Sequence, residues 1–398
     1  MAGLTADAGG GRASVHSPRH RLPDLAAIAL FAAVLLIPWI ASSALFDRDE
    51  TYYAEAAREM QEAGTWFFPR LNGREFDQKP FLPMAFIRIG YVVFGVNERG
   101  ARMPSALFGI GTAVLTAAIA RRLLGPAAGV RAGLILGTSL LFLLICRSSL
   151  VDSGFLFFFT GSLWAFLRTA PPETPSAGDL VLAYGCAGLA MLCKGPIGIL
   201  LPLGIVTVIA WHDGGFGGLR RLRPLLGAGV LAAVALPWFV AASRATKGDF
   251  LRDFFLRENL GRFLSPMEGH RGPFWIYLPV LLVAFLPWSV FVPEGAAAIH
   301  REHPRVAWIL GTWILLPLAF FSAAATKLPH YILPTLPPLA ILVSKGWEAR
   351  RNVARARRVL PVVALLVLSA ALPLALLAMR ARWRDWVPVS LVATASIR

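Results

Sequence analysis

Long apolar runs recur along the whole chain and constrain its fold more than any other feature of the sequence. Between residues 24 and 379 they measure about 15–22 residues each, which is long enough, or nearly so, to cross a bilayer as a helix. Of the 398 residues, 56% are hydrophobic and only 16% are charged, whereas soluble domains carry about 25% charged residues. These features exclude an ordinary cytosolic enzyme, a disordered protein and a disulfide scaffold.

The apolar runs predict an all-α fold, that of a polytopic membrane protein. Backbone groups that face lipid find no water and must pair within their own segment, which a helix achieves. The run at 81–96 is short, contains Arg88 and is interrupted by Pro83, so we interpret it as interfacial rather than spanning. Eleven transmembrane helices remain, at 24–45, 104–120, 132–147, 153–168, 179–193, 195–211, 224–243, 273–293, 306–325, 331–344 and 359–379.

The basic residues indicate which side of the membrane each loop occupies. In the eleven-span topology Lys and Arg collect in four loops on one side, at 121–131, 220–223, 301–305 and 345–358. Cytoplasmic loops carry such an excess, so the N-terminus is predicted inside and the C-terminus outside. The outer side then holds two long acidic loops, at 46–103 and 244–272.

The net charge and the cysteines allow two further interpretations. The formal charge of +16 would suit nucleic acid, but in a membrane chain it indicates topology and contact with anionic membrane lipids instead. Cys146, Cys186 and Cys193 lie in apolar runs without metal-ligand spacing. We therefore expect them to pack in the core.

Charged side chains beside apolar runs are costly and tend to be functional. Asp49 directly follows the first span. It is either the N-cap of an amphipathic helix or a catalytic carboxylate at the membrane surface. Lys79 precedes Pro80 at the start of the interfacial run, where it either extends to the aqueous interface or binds a lipid phosphate.

Several such charges share one side of the membrane. Under the predicted topology the outer side carries Asp49, Lys79, Asp152, Lys194, Glu258, Arg262 and Lys327. An outer cavity lined by these groups would suit a reaction on a phosphate-linked, membrane-anchored substrate. Cations would hold the departing phosphate, and a carboxylate would orient or deprotonate the attacking hydroxyl.

The chain resembles the GT-C glycosyltransferases in a set of short patterns. They are Asp49-Glu50-x-x-Tyr53-Ala54-x-x-x-Arg58-Glu59-Met60, Lys79-Pro80, Leu150-x-Asp152, Lys194-Gly195 and Lys327-Leu328-Pro329-x-Tyr331. Within that superfamily the patterns are most similar to the bacterial aminoarabinose transferases that modify lipid A, and more broadly to the protein mannosyltransferases.

The resemblance implies a division of the chain and a fold for the first outer loop. It covers residues 24–345, which would form the catalytic module, with a basic cytoplasmic N-terminus at 1–23. Residues 346–398 would add a basic loop, the last transmembrane helix and a short tail, without the larger C-terminal portion of the aminoarabinose enzymes. The first outer loop is expected to form juxtamembrane helices.

The resemblance also implies roles for individual residues. Asp49 and Asp152 are the expected catalytic carboxylates, and Glu50 is a further candidate. Binding of the donor phosphate is expected from Lys79, Arg262, Tyr331, Lys194 and Lys327. Support for these groups is expected from Asp77, Gln78, Glu258 and His330. The aminoarabinose enzymes carry Arg at the position of Tyr52 and Glu at that of Gln78. The missing glutamate leaves a divalent metal cofactor open, and both differences leave the sugar and the acceptor open.

The function implied is transfer of a sugar from a polyprenyl-phosphate donor to a periplasmic acceptor, with lipid A or another glycolipid as the expected acceptor. The enzyme would lie in the bacterial inner membrane with its active site facing the periplasm. Protein O-glycosylation is one alternative. A lipid or sugar transporter is another, although transporters usually show internal repeats and none is visible in this sequence.

Overall fold

The computed structural model describes residues 22–38, 40–45, 47–168 and 175–349. Helices dominate this part of the chain. Its strands form one short hairpin between α2 and α3, made of β1 (Arg70–Leu71) and β2 (Arg74–Glu75). The α-helices are α1 (Leu22–Leu36), α2 (Arg48–Glu62), α3 (Leu82–Phe94), α4 (Glu98–Leu124), α5 (Pro126–Gly137), α6 (Leu140–Cys146), α7 (Val151–Leu167), α8 (Ala177–Lys194), α9 (Ile197–Arg221), α10 (Pro224–Ala245), α11 (Asp249–Arg252), α12 (Arg262–Leu264), α13 (Tyr277–Ala284), α14 (Val292–Glu302), α15 (Pro304–Ala323) and α16 (Leu336–Ala349). A π-helix covers Asp253–Gly261, and 3-10 helices cover Phe274–Ile276, Trp288–Phe291 and Pro329–Thr335.

Five helices in the described part of the chain are long and apolar enough to cross a membrane: α4, α8, α9, α10 and α15. Two bent pairs raise that number to seven if each pair is one span. Shorter apolar helices cover Pro23–Leu36, Leu82–Phe94 and Val151–Leu167. The prediction of a polytopic, all-α membrane protein is confirmed, while the total of eleven spans stays a prediction.

The predicted spans at 132–147 and 273–293 are not straight helices. The first is divided into α5 and α6, which meet at 67°, and the second bends by 103° after Ala284. Hydropathy continues through both breaks, so the apolar pattern could not reveal them. Pro287, which has no backbone N–H to donate, lies in the second break.

Other predicted boundaries also shift. The first span was expected to reach residue 45, but α1 ends at Leu36, close to Pro38, which cannot continue the helical hydrogen bonding. In α4 the helix begins at Glu98 rather than 104, because the Asn97 side chain accepts a hydrogen bond from the Gly100 amide and caps it. The predicted span at 359–379, the arginines at 350–358, and most of segments 1–23 and 346–398 lie outside the described residues.

The two outer loops both pack against α10. The first loop contains α2 and α3, as the resemblance implied, and α2 buries Tyr53, Ala56, Ala57 and Met60 along one face. Trp238 of α10 stacks on Phe81, with ring centroids 5.3 Å apart. Its indole N–H also donates to the carbonyl oxygen of Phe67 at 2.8 Å. Trp238 also contacts Phe250 of the second loop, with ring centroids 5.1 Å apart, so the two loops pack against the same side chain.

Candidate active site

A cavity of about 860 Å³ lies between the two outer loops and the adjacent ends of α7, α9 and α15. Nine residues proposed from the sequence line it: Asp49, Gln78, Lys79, Asp152, Lys194, Glu258, Arg262, His330 and Tyr331. The lining also includes Asp47, Arg48 and Glu268, which the sequence analysis did not single out. Three proposed residues, Glu50, Asp77 and Lys327, do not line the cavity.

The N-cap of α2 is Asp47, so the interpretation of Asp49 as the cap is wrong by two residues. The Asp47 carboxylate accepts hydrogen bonds from the backbone amides of Asp49, at 2.9 Å, and Glu50, at 3.4 Å. The side chain of Asp49 remains 38% exposed, with the Nε atom of Arg48 3.6 Å from its Oδ1 atom. The helix therefore does not need the Asp49 carboxylate as a cap. That carboxylate lines the cavity instead.

Glu50 is buried in the protein instead of facing the cavity, which corrects its place among the catalytic candidates. Its side chain has 0% exposure. Its carboxylate accepts hydrogen bonds from the Nε atom of Arg102 at 2.7 Å, from the Nη2 atom of Arg102 at 3.0 Å and from the backbone amide of Ser149 at 2.8 Å. The Glu50 carboxylate is thus enclosed by protein hydrogen-bond donors and does not reach the cavity lining.

Arg102 connects the start of α4 to three other segments, and the sequence analysis missed it. Besides Glu50, its guanidinium donates to the carbonyl oxygens of Ile40 and Ser43, each at 2.7 Å, and of Ala44 at 3.0 Å. The network thus joins the segment between α1 and α2, the start of α2 and the segment before α7. The available signal was an arginine close to an apolar helical run, which is costly unless paired.

Asp152 and Lys194 form a buried ion pair in the cavity wall. The Lys194 ammonium donates to Asp152 Oδ1, and both side chains are less than a tenth exposed. His330 Nε2 lies 4.0 Å from Asp152 Oδ2, and the Lys194 Nζ atom lies 5.0 Å from the ring centroid of Tyr331. The charges of Asp152 and Lys194 are therefore largely compensated before any substrate binds.

Arg262 is held by two carboxylates of the second outer loop. Its Nη2 atom lies 2.9 Å from Glu258 Oε2 and 3.0 Å from Glu268 Oε1. Glu268 also accepts from Arg48, and this hydrogen bond lowers the pKa of Glu268 below its usual value. A chain of ion pairs thus crosses from α2 to the second loop along the cavity.

Lys79 is the one Lys or Arg in the described cavity lining without a carboxylate partner. The others, Arg48, Lys194 and Arg262, all form ion pairs. The half-buried Lys79 ammonium donates only to the neighbouring carbonyl oxygen of Gln78, at 3.0 Å. Burial, followed by repulsion from Arg262, lowers the pKa of Lys79 to about 8, so the ammonium still predominates at neutral pH.

Lys327 and Asp77 are placed away from the cavity. The Lys327 ammonium donates to the carbonyl oxygens of Phe321, at 2.9 Å, of Ser322, at 2.6 Å, and of Ala324. The ammonium therefore satisfies carbonyl oxygens at the C-terminal end of α15, where a cation is favoured. This placement corrects the expectation that Lys327 binds the donor phosphate. Asp77 is half-buried, and burial raises its pKa.

The described residues contain no group of three or more His, Cys, Asp or Glu side chains arranged to hold a metal ion. The divalent metal left open by the sequence has no such ligand set in this part of the chain. Cys146 and Cys193 are buried and Cys186 is partly buried. The first two pack in the main hydrophobic core, as expected.

The described residues thus form a polytopic membrane protein with a charged cavity at one end of its helices, and known proteins share this architecture. The sequence profile of the dolichyl-phosphate-mannose-protein mannosyltransferases matches residues 78–240. The crystal structure of ArnT from Cupriavidus metallidurans bound to undecaprenyl phosphate superposes with a TM-score of 0.79 at 28% identity, covering 87% of this chain and 63% of that one. The Archaeoglobus fulgidus oligosaccharyltransferase, at 12% identity and a TM-score of 0.56, shares the fold over 90% of this chain and 55% of that one.

Sequence comparison gives the same relationship. The undecaprenyl phosphate-alpha-4-amino-4-deoxy-L-arabinose arabinosyl transferase of Pseudomonas paraeruginosa is 34% identical over 334 residues, which are 80% of this chain. The chain spans 58% of the length of that relative. It therefore has the fold of the GT-C glycosyltransferases and resembles the aminoarabinose transferases among them.

Proposed function

We propose that the chain is a membrane glycosyltransferase that takes 4-amino-4-deoxy-L-arabinose from undecaprenyl phosphate and transfers it to a periplasmic glycolipid, with lipid A as the acceptor. Residues 24–345 form its catalytic module, in the bacterial inner membrane, with the cavity facing the periplasm. The relatives named for this donor and the undecaprenyl phosphate bound to ArnT support the choice of substrate. The observation that carries the proposal is the Lys79 ammonium, which has no carboxylate partner among the described residues, in a cavity that also holds Asp49.

The donor phosphate binds beside Lys79. A phosphate oxygen there gains a charge-assisted hydrogen bond from an ammonium that gives up no ion pair to form it. Arg262 and Lys194 line the same cavity, but their carboxylate partners reduce the positive charge that they offer. As the bond between the sugar C1 atom and the phosphate oxygen breaks, negative charge grows on the phosphate, and the Lys79 ammonium stabilises it.

The acceptor oxygen forms the new bond to C1, and undecaprenyl phosphate leaves. With a sugar hydroxyl as the acceptor, the Asp49 carboxylate takes its proton during the attack. With a phosphate oxygen as the acceptor, the nucleophile is already ionised and Asp49 orients it without accepting a proton. Both routes balance in atoms and charge without any further reactant.

Protein O-glycosylation is the second candidate, and one observation favours it: the mannosyltransferase profile that matches residues 78–240. In that reaction a serine or threonine hydroxyl would take the place of the glycolipid. The donor site would be unchanged, so the two candidates differ only in the acceptor.

Mass spectrometry of cells with and without the gene tests the proposal. Lipid A, total glycolipids and periplasmic proteins are compared in the two strains. Loss of an aminoarabinose-bearing lipid A or glycolipid from the deletion strain is the expected result. Loss of glycopeptides alone would establish the second candidate, and unchanged glycans in all three fractions would contradict both.

A further inference from the structure

A second cavity, of about 430 Å³, lies at the opposite ends of the helices that line the first. Asp152, at the start of α7, lines the outer cavity, whereas Phe166 and Leu167, at the end of α7, line the second. Fourteen residues separate Asp152 from Phe166, or about 21 Å along an α-helix. The second cavity therefore belongs to the other face of the membrane and not to the candidate active site.

The second cavity combines a basic rim with apolar walls. Its described lining contains three arginines, Arg122, Arg221 and Arg305, against a single carboxylate, Asp213. The apolar walls are formed by Phe166, Leu167, Val206, Ile209, Val306 and Ile309. A small soluble anion could use the guanidinium groups but would leave these walls uncovered.

Two of the three arginines already have partners. Arg122 Nε donates to the carbonyl oxygen of Leu167 at 2.9 Å, and Arg305 Nη2 lies 2.9 Å from Asp213 Oδ2. The guanidinium of Arg221 is exposed and forms no hydrogen bond or ion pair with any described residue. A ligand with a negative charge would supply Arg221 with a partner, which it does not have among the described residues.

We propose that this cavity binds an anionic phospholipid, whose phosphate headgroup contacts the arginine rim while an acyl chain covers the apolar walls. Basic pockets between transmembrane helices bind anionic headgroups in this way. The charge of the rim and the apolar walls formed by the ends of α7, α9 and α15 together favour a phospholipid over a soluble phosphate. The site is separate from the proposed transfer reaction, so either proposal can fail without the other.

Native mass spectrometry of the full chain, with lipids added in detergent, tests the proposal. The probes are phosphatidylglycerol, which is anionic, phosphatidylcholine, which is zwitterionic, and glycerol phosphate, which has the charge without the acyl chains. Arg221→Gln removes the unpartnered guanidinium. Arg220→Gln is the matched control, because Arg220 is the exposed neighbour on the same helix and does not line the cavity.

Phosphatidylglycerol is expected to bind more tightly than phosphatidylcholine. Arg221→Gln should weaken its binding about fivefold, since a basic residue near an anionic membrane surface contributes about 1 kcal/mol. Arg220→Gln should leave the affinity for phosphatidylglycerol unchanged. Val306→Phe narrows the cavity at constant charge and, like Arg221→Gln, should weaken phosphatidylglycerol binding.

Three results would overturn the proposal. Equal affinity for the two lipids would remove the charge preference. Equal losses in Arg220→Gln and Arg221→Gln would indicate a general surface effect. Displacement of phosphatidylglycerol by glycerol phosphate at equal concentration would identify a site for a soluble anion.

Discussion

Asp47 and Asp49 are two carboxylates at the start of one helix, and the structure gives them different tasks. Both line the cavity, but the Asp47 carboxylate caps α2, whereas that of Asp49 makes no capping hydrogen bond among the described residues. Asn caps a helix as well as Asp does, so Asp47→Asn should retain transfer activity and stability. Asp49→Asn should lower transfer by about 10²–10⁴-fold if Asp49 acts as a general base.

Transfer assays with purified, folded variants distinguish the two carboxylates. Each variant is checked for an unchanged thermal unfolding midpoint before its activity is measured. Near-normal transfer by Asp49→Asn would remove Asp49 from the catalytic list. A loss of activity in both variants would mean that the Asp47 carboxylate, which also lines the cavity, is needed for transfer as well.

Lys79 should make donor binding depend on pH near neutrality. Its pKa is lowered to about 8, so the ammonium is present below that pH and is lost above it. The affinity for undecaprenyl phosphate should therefore fall as the pH rises through about 8. In Lys79→Arg the guanidinium stays charged throughout this range, so the fall should disappear. An identical pH profile in both proteins would assign the titration to another group.

The sequence predicted most of the cavity lining but not the pairing of its charges. Charged residues beside apolar runs identified Asp49, Lys79, Asp152 and Lys194, because an unsupported charge is costly there. Which cation remains unpaired depends on contacts between segments far apart in the chain, such as that between Asp152 and Lys194. No spacing in the sequence encodes those contacts.

Several elements depend on the buried pair of Glu50 and Arg102. Glu50 is adjacent to Asp49, and Ser149, which donates to Glu50, lies three residues before Asp152. The pair therefore holds α2, α4 and the start of α7 in the arrangement that the cavity requires. Arg102 also satisfies carbonyl oxygens in the segment between α1 and α2.

Glu50→Gln should destabilise the protein markedly. Removal of one partner of a buried ion pair typically costs about 3–5 kcal/mol, because the other charge stays buried without compensation. Glu62→Gln is the control. Glu62, like Glu50, lies on α2 and pairs with an arginine, Arg58, but its side chain is 62% exposed, and exposed ion pairs contribute little to stability. Thermal unfolding in detergent checks this, and equal midpoints for the two variants would contradict the role of the network.

The breaks between elements were harder to predict than the elements themselves. Apolar periodicity located the helices well, since burial in lipid or protein requires it. The 67° bend between α5 and α6 occurs at Thr138 and Ser139 within a continuing apolar run. Hydropathy averages over such short polar steps, so a bent pair looks like a single span.

The predicted orientation of the molecule in the membrane rests on the segregation of its charges and can be measured. In a background without Cys146, Cys186 and Cys193, a single cysteine at residue 63 should react with a membrane-impermeant reagent from the periplasm. A single cysteine at residue 127 should react only after permeabilisation. Both alanines are exposed, and Ala63 avoids the strain that a side chain would meet at Gly64, where φ is +68°. The opposite labelling pattern would invert the topology.

The affinity of Lys79→Ala for undecaprenyl phosphate tests the central claim, that an unpaired ammonium holds the donor phosphate. A charge-assisted hydrogen bond contributes about 1.5–3 kcal/mol, so binding should weaken by about ten- to a hundredfold. Lys247→Ala is the control, since Lys247 is an exposed lysine of the second outer loop that does not line the cavity, and its affinity should match the wild type. Equal affinity of folded Lys79→Ala and wild-type protein would contradict the account.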